Sequence, residues 1–408
     1  MKLEWIRFAW LNTLRNRRRS LVTVSIAALG TAAILLAGGF ALATYQALAQ
    51  SSARTTGHLI LATPAQFVGD EDVPAQHGIT NAEALTRDLL IDPDVRQVLP
   101  KLVFSGLISN GDKSVVMMAE GIAPDAEFAI KGPFLTVKSG RVLSSADRAQ
   151  VMLGAGLARS LKAEPGTGLT MLASTTEGAL NAIDVTVAGV VSTGIAEMDA
   201  RLVYTDVATA QRLLATDRVS SLGVFLSSME ATEPVRARLQ AKLQSHQPTL
   251  EIRSWIDQAT FYRSVRDLYN RIFGALGGIL GVIVVFVVTN AMAMAVIERT
   301  REVGAMRALG TSPVQLVRGF AIEGSMLGGL GALLGTLGAA ALSIALLIFP
   351  VQMPPPPGRS VGYALVMDID PSLYALTLIA MVLMATAASA LVARRTVNQP
   401  IVDALGHV

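Results

Sequence analysis

The sequence contains no cysteine, so disulfide staples and thiol chemistry are excluded, and the compartment stays open on that count. It is poor in charge. Asp, Glu, Lys and Arg make up 16% of it, against about 25% in soluble domains. The histidines, His58, His77, His246 and His407, are scattered, and no HExxH spacing sets two imidazoles on one helix face. No glycine-rich loop ends in Gly-Lys followed by Ser or Thr, the arrangement that cradles phosphate; "GDKS" from Gly111 has the wrong spacing. "GAGLARSL" from Gly154 begins like a dinucleotide fingerprint, but Arg159 takes the third glycine position and no ordinary Rossmann unit surrounds it. It reads as a strand-to-helix turn. The chain is therefore not expected to hydrolyse ATP by itself, and it offers no catalytic, cofactor-binding or metal-ligating constellation.

What the sequence has instead is apolar length. It is 51% hydrophobic, with mean hydropathy +0.48. Four runs, Leu21–Ala43, Ile272–Ile297, Val317–Phe349 and Leu373–Ala393, approach or exceed the roughly 20 residues that cross a bilayer. The net charge of +3 does not point to nucleic acid, because the positive residues flank the apolar runs as topology signals. Lys2, Arg7, Arg15, Arg17, Arg18 and Arg19 precede the first run. Arg299, Arg301, Arg307 and Arg318 lie between the second and third, and Arg394 and Arg395 follow the fourth. The connection 350–371 has only Arg359, against Asp368 and Asp370. Both termini are thus expected in the cytoplasm. Arg17–Arg19 and Ala47-Leu48-Ala49 also mimic a signal peptide, but the run between them exceeds the 7–15 residues of an h-region, and the reading is a retained span.

The predicted organisation is a polytopic α-helical membrane protein with four transmembrane helices and an α+β extracytoplasmic domain inserted between helices 1 and 2. Its segments are a cytoplasmic stretch 1–20, first span and stalk 21–49, outer domain 50–253, and stalk and second span 254–297. A cytoplasmic helix at 298–312, third span 313–349, Pro-rich outer loop 350–371, fourth span 372–393 and cytoplasmic tail 394–408 complete it. Within 50–265, "HLILAT", "SVVMMAEGI", "AIDVTVAGVV" and "RLVYTD" have strand patterns. "NAEALTRDLL", "AGLARSLK", "VATAQRLLA" and "EPVRARLQAKLQ" have helical spacing. Their irregular alternation predicts α+β, with room for two lobes. Ser254 and Asp257 suit a helix start, and Phe261, Val265, Leu268 and Ile272 share one face. A continuous helix from Trp255 to Ile297 is expected, about half of it a stalk beyond the roughly 30 Å bilayer core.

Glycines four apart, Gly274/Gly278 and Gly277/Gly281 in the second span and Gly324/Gly328 and Gly331/Gly335 in the third, allow close helix approach, within the chain or between copies. "MPPPPG" from Met353 reads as a stiff polyproline II arm, either a rigid loop closure or a contact with a partner protein or substrate. Glu323 is the clear ionisable exception inside a span, a polar packing contact or a functional acid.

"ERTREVGAMRALGTS", 298–312, is charged between two apolar runs. As a helix it would pair Glu298 with Arg301 and Arg299 with Glu302, with Val303, Met306 and Leu309 on the other side. Gly304 would leave a notch for another surface, and Gly310 would end the helix at C′. Ser312, Pro313 and Gln315 would form N-cap, N1 proline and capping box for the next helix. A helix this short is marginal alone and calls for a docking surface.

"ERTREVGAMRALGTSPVQL" resembles the coupling helix of the FtsX/MacB-like permeases, four-span subunits of one class of ABC transporters. "VMLGAGLARSLKAEPGTGLTM" and "VAGVVSTGIAEMDARLVYTDVATAQRLL" are similar to that family's extracytoplasmic domain, and the order of spans agrees. The resemblance implies a bacterial plasma (inner) membrane location, a second permease copy or paralogue, and a cytoplasmic ABC ATPase subunit holding ATP and Mg. With about 20 residues before the first span, that ATPase is expected to be separate. Glu298, Arg299, Arg301, Glu302, Gly304, Arg307 and Gly310 fall on the family motif and would meet it. The tail "NQPIVDALGHV" is similar to the family ending but has Gly406 where an arginine is common. Two functions stay open: moving an amphiphilic substrate (lipoprotein, peptide or drug-like molecule), or signalling to an external protein without transport. An extracytoplasmic adaptor or substrate protein would be a further partner.

Overall fold

The computed structural model describes residues 17–69, 72–131, 135–246, 249–355 and 362–397. In chain order, α1 (Arg17–Thr56) leads to β1 (Leu59–Ala62), α2 (Pro64–Val68), α3 (Ala82–Leu89), β2 (Val95–Ser109) and β3 (Ser114–Ile122). Then come α4 (Pro124–Lys131), β4 (Thr136–Gly140), β5 (Gln150–Gly154), α5 (Ala155–Leu161), β6 (Gly168–Ser174) and β7 (Leu180–Ser192). After α6 (Ala196–Asp199), β8 (Leu202–Asp206), α7 (Val207–Leu214), β9 (Ser221–Leu226), α8 (Thr232–His246) and β10 (Glu251–Ser254), the chain becomes helical. It runs through α9 (Trp255–Gln258), α10 (Thr260–Glu298), α11 (Thr300–Ala308), α12 (Pro313–Ile348), the two-residue strands β11 (Gln352–Met353) and β12 (Tyr363–Ala364), and α13 (Pro371–Val397). Two compact units result: 47–263 with 353–363, and the remainder. Lys2, Arg7, Arg15, Pro356–Gly358 of the proline run, and the tail from Asn398 with Gly406 lie outside the described residues.

In the first unit a single long strand organises two lobes. The N-terminal part of β2 pairs antiparallel with β9, from Val95↔Leu226 to Lys101↔Ser221. Its C-terminal part pairs with β3, from Leu102↔Gly121 to Ser109↔Ser114. The strand order is β10-β1-β9-β2-β3-β8-β5-β7-β4, with β6 bridging β2 and β7. Strands β1, β9, β10 and the start of β2 bury Leu59, Leu61, Val224 and Ile252 under α3 and α8. Beyond the switch, Phe104, Ile108, Met117, Leu153 and Val203 pack under α5 and α7. Phe128, Leu143, Met152 and Tyr204 form a smaller cluster. Alternation along the strands sends successive side chains to opposite faces. The strands and helices expected from the sequence form, in a mixed parallel and antiparallel sheet. Pro100, without an N–H to donate, lies two residues before β2 changes partner.

The helix expected to run unbroken from Trp255 is interrupted. Ser254 and Asp257 do form a capping box, but over a four-residue helix, and Ala259 has non-helical backbone (φ −81°, ψ 64°). Trp255 is buried, its ring packs edge-on to Tyr262 with centroids 5.1 Å apart, and its backbone N–H donates to the His58 carbonyl at 3.0 Å. Those contacts fix α9 on the sheet, and the chain resumes as α10 after the break.

In the second unit, α1, α10, α12 and α13 are long and apolar enough to cross a membrane. Their shared core includes Ala27, Val284, Val288, Leu327, Met381 and Ala385. The glycine spacings are used unequally. A Cβ on Gly324 or Gly328 would overlap Ser389 or Ala385 of α13. One on Gly331 would sit 2.5 Å from the Ala27 Cβ, and one on Gly335 2.8 Å from the Thr31 Cβ, both in α1. These four glycines of the third span therefore serve close packing within the chain. A Cβ added to Gly274, Gly277 or Gly278 would meet nothing within 4 Å beyond its own helix.

Two predictions follow from this packing and from the ion pairs of the soluble unit. Gly328→Leu should destabilise the chain by about 1–3 kcal/mol through overpacking, while Gly277→Leu should stay within about 0.5 kcal/mol; thermal unfolding of the solubilised protein compares them. Arg141 holds Asp147 at 2.6 and 2.7 Å, and Arg238 holds Asp92 at 3.0 and 3.1 Å. Hydrogen bonds from these guanidiniums keep both carboxyls below their usual range. Their stabilisation is therefore present above the ordinary carboxylate pKa of about 3.9 and is lost as pH falls towards the folded-state values. Hydrogen exchange around 141–150 should accelerate as pH drops from 5 to 3, after correction for intrinsic rates, and Asp147→Asn should flatten that response.

Candidate functional site

The charged stretch between the second and third spans is bounded by two local signals. Helix α10 stops because Arg299 leaves helical geometry (φ −111°, ψ 16°); Thr300 Oγ1 donates to the Ile297 carbonyl at 2.8 Å, satisfying one of the orphan acceptors at the helix end. At the other end, Gly310 has φ 93°. Its N–H bonds the Arg307 carbonyl and that of Thr311 bonds Met306, both at 3.0 Å, the two bonds of a Schellman stop. Two residues later Ser312 caps α12 in a capping box with Gln315, Pro313 following at the first helical position. These are the stop and start expected from the sequence, and they leave α11 nine residues long.

The ion pairs at the start of α11 differ from those expected from the sequence. Arg299 turns into the bundle, where its Nη1 lies 3.1 Å from Glu323 Oε2 of α12, with side chains 6% and 8% exposed. Glu298 pairs with Arg19 of α1 at 3.3 Å, and Arg19 also donates to the Ala291 carbonyl. The expected pairings of Glu298 with Arg301 and of Arg299 with Glu302 thus give way to these longer-range ones. An arginine beside apolar helices gains more from a buried carboxylate than from one in solvent. Glu323, the acid singled out within a span, is that carboxylate.

Gly304, expected to leave a notch for another surface, is buried with Thr300 and Val303, and Val303 packs in the core of the helical unit. Met306 and Arg307 are half-buried, and Arg301, Glu302, Ala305, Ala308 and Gly310 are exposed. Leu309, expected on one apolar stripe with Val303 and Met306, is 88% exposed. Of the seven candidate residues, Glu298, Arg301, Glu302 and Gly310 face outward, Arg307 partly so, and Arg299 and Gly304 inward. Sequence reasoning missed the Arg19 contribution, since that residue stood out only as part of a basic cluster.

The two rejected nucleotide motifs have structural explanations. Gly154 and Gly156 sit where a Cβ would meet Asp199 and Ala200 of the α6 segment, and "GDKS" is the β2–β3 turn, with Gly111 at φ 92°. Among the described residues no group of three or more His, Asp or Glu is placed to hold a metal.

The family model described as FtsX-like permease C-terminal matches residues 274–401. That described as MacB-like periplasmic core domain matches 20–242. With four spans and a soluble insert after the first, the matches define a permease subunit of an ABC transporter, a non-catalytic class of subunit. The chain belongs to the FtsX/MacB-like permease family. That membership implies an inner membrane protein.

Its curated relatives include the lipoprotein-releasing system transmembrane proteins LolC of Xylella fastidiosa, 25% identical over 261 residues, and LolE of Haemophilus influenzae, 25% over 274. The LolC alignment covers 62% of each chain; the LolE alignment covers 65% of this chain and 64% of LolE. The chain thus spans less than two thirds of these relatives' length. Among solved structures, the periplasmic region of MacB from Actinobacillus actinomycetemcomitans is 20% identical with TM-score 0.37, covering 50% of this chain and 94% of that one. The extracellular domain of YknZ, a noncanonic ABC-type transporter from Gram-positive bacteria, is 17% identical with TM-score 0.36, covering 48% and 99%.

The Arg299–Glu323 pair generates a stability prediction. Glu323→Ala, which strands a buried guanidinium, should cost about 3–5 kcal/mol. Arg299→Met with Glu323→Leu, which removes both charges, should be close to neutral. Denaturant unfolding in detergent distinguishes the single from the double substitution.

Proposed function

We propose that this chain is the membrane subunit through which a separate cytoplasmic ABC ATPase, carrying ATP and Mg, drives an extracytoplasmic domain to extract or export an amphiphilic substrate. The observation that carries the reading is α11, whose ends are fixed by a Schellman stop and a capping box and whose outer face offers Arg301, Glu302, Ala305, Ala308 and Leu309. Such a face, charged at one end and apolar at the other, suits a protein partner. The basic residues Arg17–Arg19, Arg394 and Arg395 support cytoplasmic termini. The membrane unit functions with a second copy or a paralogue. The names of the LolC and LolE relatives favour a lipid-linked protein as substrate over a peptide or drug-like molecule.

A second reading, transmission of a signal to an external protein, draws on one surface. Val103 and Leu107 of β2 and Val116 and Met118 of β3 are exposed, and Leu107 stands opposite Val116 across the strands. An apolar strip of this kind suits an adaptor or regulated protein.

The test is mass spectrometry of proteins co-purified from the native membrane with the wild-type chain and with Arg301→Glu/Ala305→Arg, substitutions on the exposed face. An ATPase subunit should accompany the wild type and be depleted at least about tenfold, equivalent to roughly 1.4 kcal/mol, with the variant. Its absence from gently extracted wild-type protein would remove the engine from this reading. A lipid-linked protein accumulating without ATP would decide for extraction, whereas an ATPase rate answering to an external protein alone would decide for signalling.

A further inference from the structure

The geometry points to Arg19, Glu298, Arg299 and Glu323 as a positioning cluster, an internal joint that carries displacement of α11 into the membrane helices. The inference rests on the reading that α11 meets an ATPase. It changes the role of Arg299 from a contact with that partner to a link inside this chain.

The backbone alone does not make the second span and α11 one rigid rod. Helix α10 ends at Glu298, and Arg299 is non-helical. A push on α11 reaching this break could be absorbed by backbone torsions. The side chains at the break close that route. Arg299, the N-cap residue of α11, is held 3.1 Å from Glu323 on α12. Glu298, the last residue of α10, is held 3.3 Å from Arg19 near the start of α1. Arg19 returns to α10 through the Ala291 carbonyl. Arg19 and Glu323 also line the same small gap, about 20 Å³, with Thr23 and Met292. Two cations and two anions therefore tie α1, α10, α11 and α12 at one level.

Charge pairing suits this task better than apolar packing does. Apolar surfaces slide past one another with modest loss, whereas separating a buried guanidinium from its carboxylate leaves two uncompensated charges. The same cluster resists a small shift and, once broken, permits a discrete rearrangement. On stability alone, a hydrophobic pair would do as well. The joint therefore predicts a substitution that leaves the fold intact and disconnects the motion.

That substitution is Arg299→Met with Glu323→Leu, and Arg19→Met is a second, at a less buried site. The experiment uses the complete complex in lipid nanodiscs, with spin labels at exposed positions of the membrane unit. One pair, Val314 and Leu391, follows the turn that ends α11, outside the face offered to the ATPase; the other, Leu29 and Leu391, follows the spanning helices. In the wild type, ATP should shift both distances. In the double variant, with ATPase co-purification and melting temperature unchanged, the first distance should still shift and the second should not. Arg299→Lys, which keeps the charge, should restore part of the second response. A second distance that shifts as in the wild type in both the double variant and Arg19→Met overturns the joint. So does a wild-type complex in which neither distance shifts while ATP is hydrolysed. If no ATPase accompanies the wild-type chain, the coupling reading itself fails, a result distinct from either of these.

Discussion

A buried arginine must find its counter-charge inside the protein, and here that requirement acts where the second span gives way to α11. Arg299 stands where α10 stops and lies among apolar helices against Glu323. Just past the pair, α11 buries Val303 and Gly304 and leaves Arg301, Glu302 and Leu309 exposed. Helix α12, once held at Glu323, continues into close contact with α13 through Gly324 and Gly328 and with α1 through Gly331 and Gly335. Lipid supplies no hydrophobic drive for helix association, so close backbone approach and a few polar contacts decide the packing.

The parts of this arrangement legible in the sequence are those encoded within one turn or one strand. Gly310, Ser312, Pro313 and Gln315 act through bonds spanning three to five residues, and all appear in the structure as expected. Apolar length marks the four spans for the same reason. Pairing across the chain is another matter. Arg299 has Glu302 three residues away as a plausible local partner and takes Glu323, 24 residues on; nothing in the spacing reveals that the helix turns that side inward. Likewise, Ala259 offers no breaker chemistry, and the interruption comes from tertiary contacts of Trp255.

Strand β2 shows the same limit. Its central proline argues against a strand in local terms, yet the strand is the longest in the sheet. Pro100 is accommodated because β2 changes neighbours just beyond it, pairing with β9 before and with β3 after. Two lobes sharing one strand also account for the irregular alternation of elements read from the sequence.

The pairing of β1 with both β9 and β10 bears on how the protein is made. Residues 59–62 emerge soon after the first span, but their partners lie at 222–224 and 251–254, close to the far end of the insert. Until nearly the whole insert has been delivered across the membrane, β1 is an unpaired edge beside a half-finished core. Contacts of such large sequence separation form slowly, and open edges invite pairing with other chains. Synthesis and translocation therefore place this domain's most vulnerable interval at the end of its delivery, when strand β10 arrives and the second span is about to enter the bilayer.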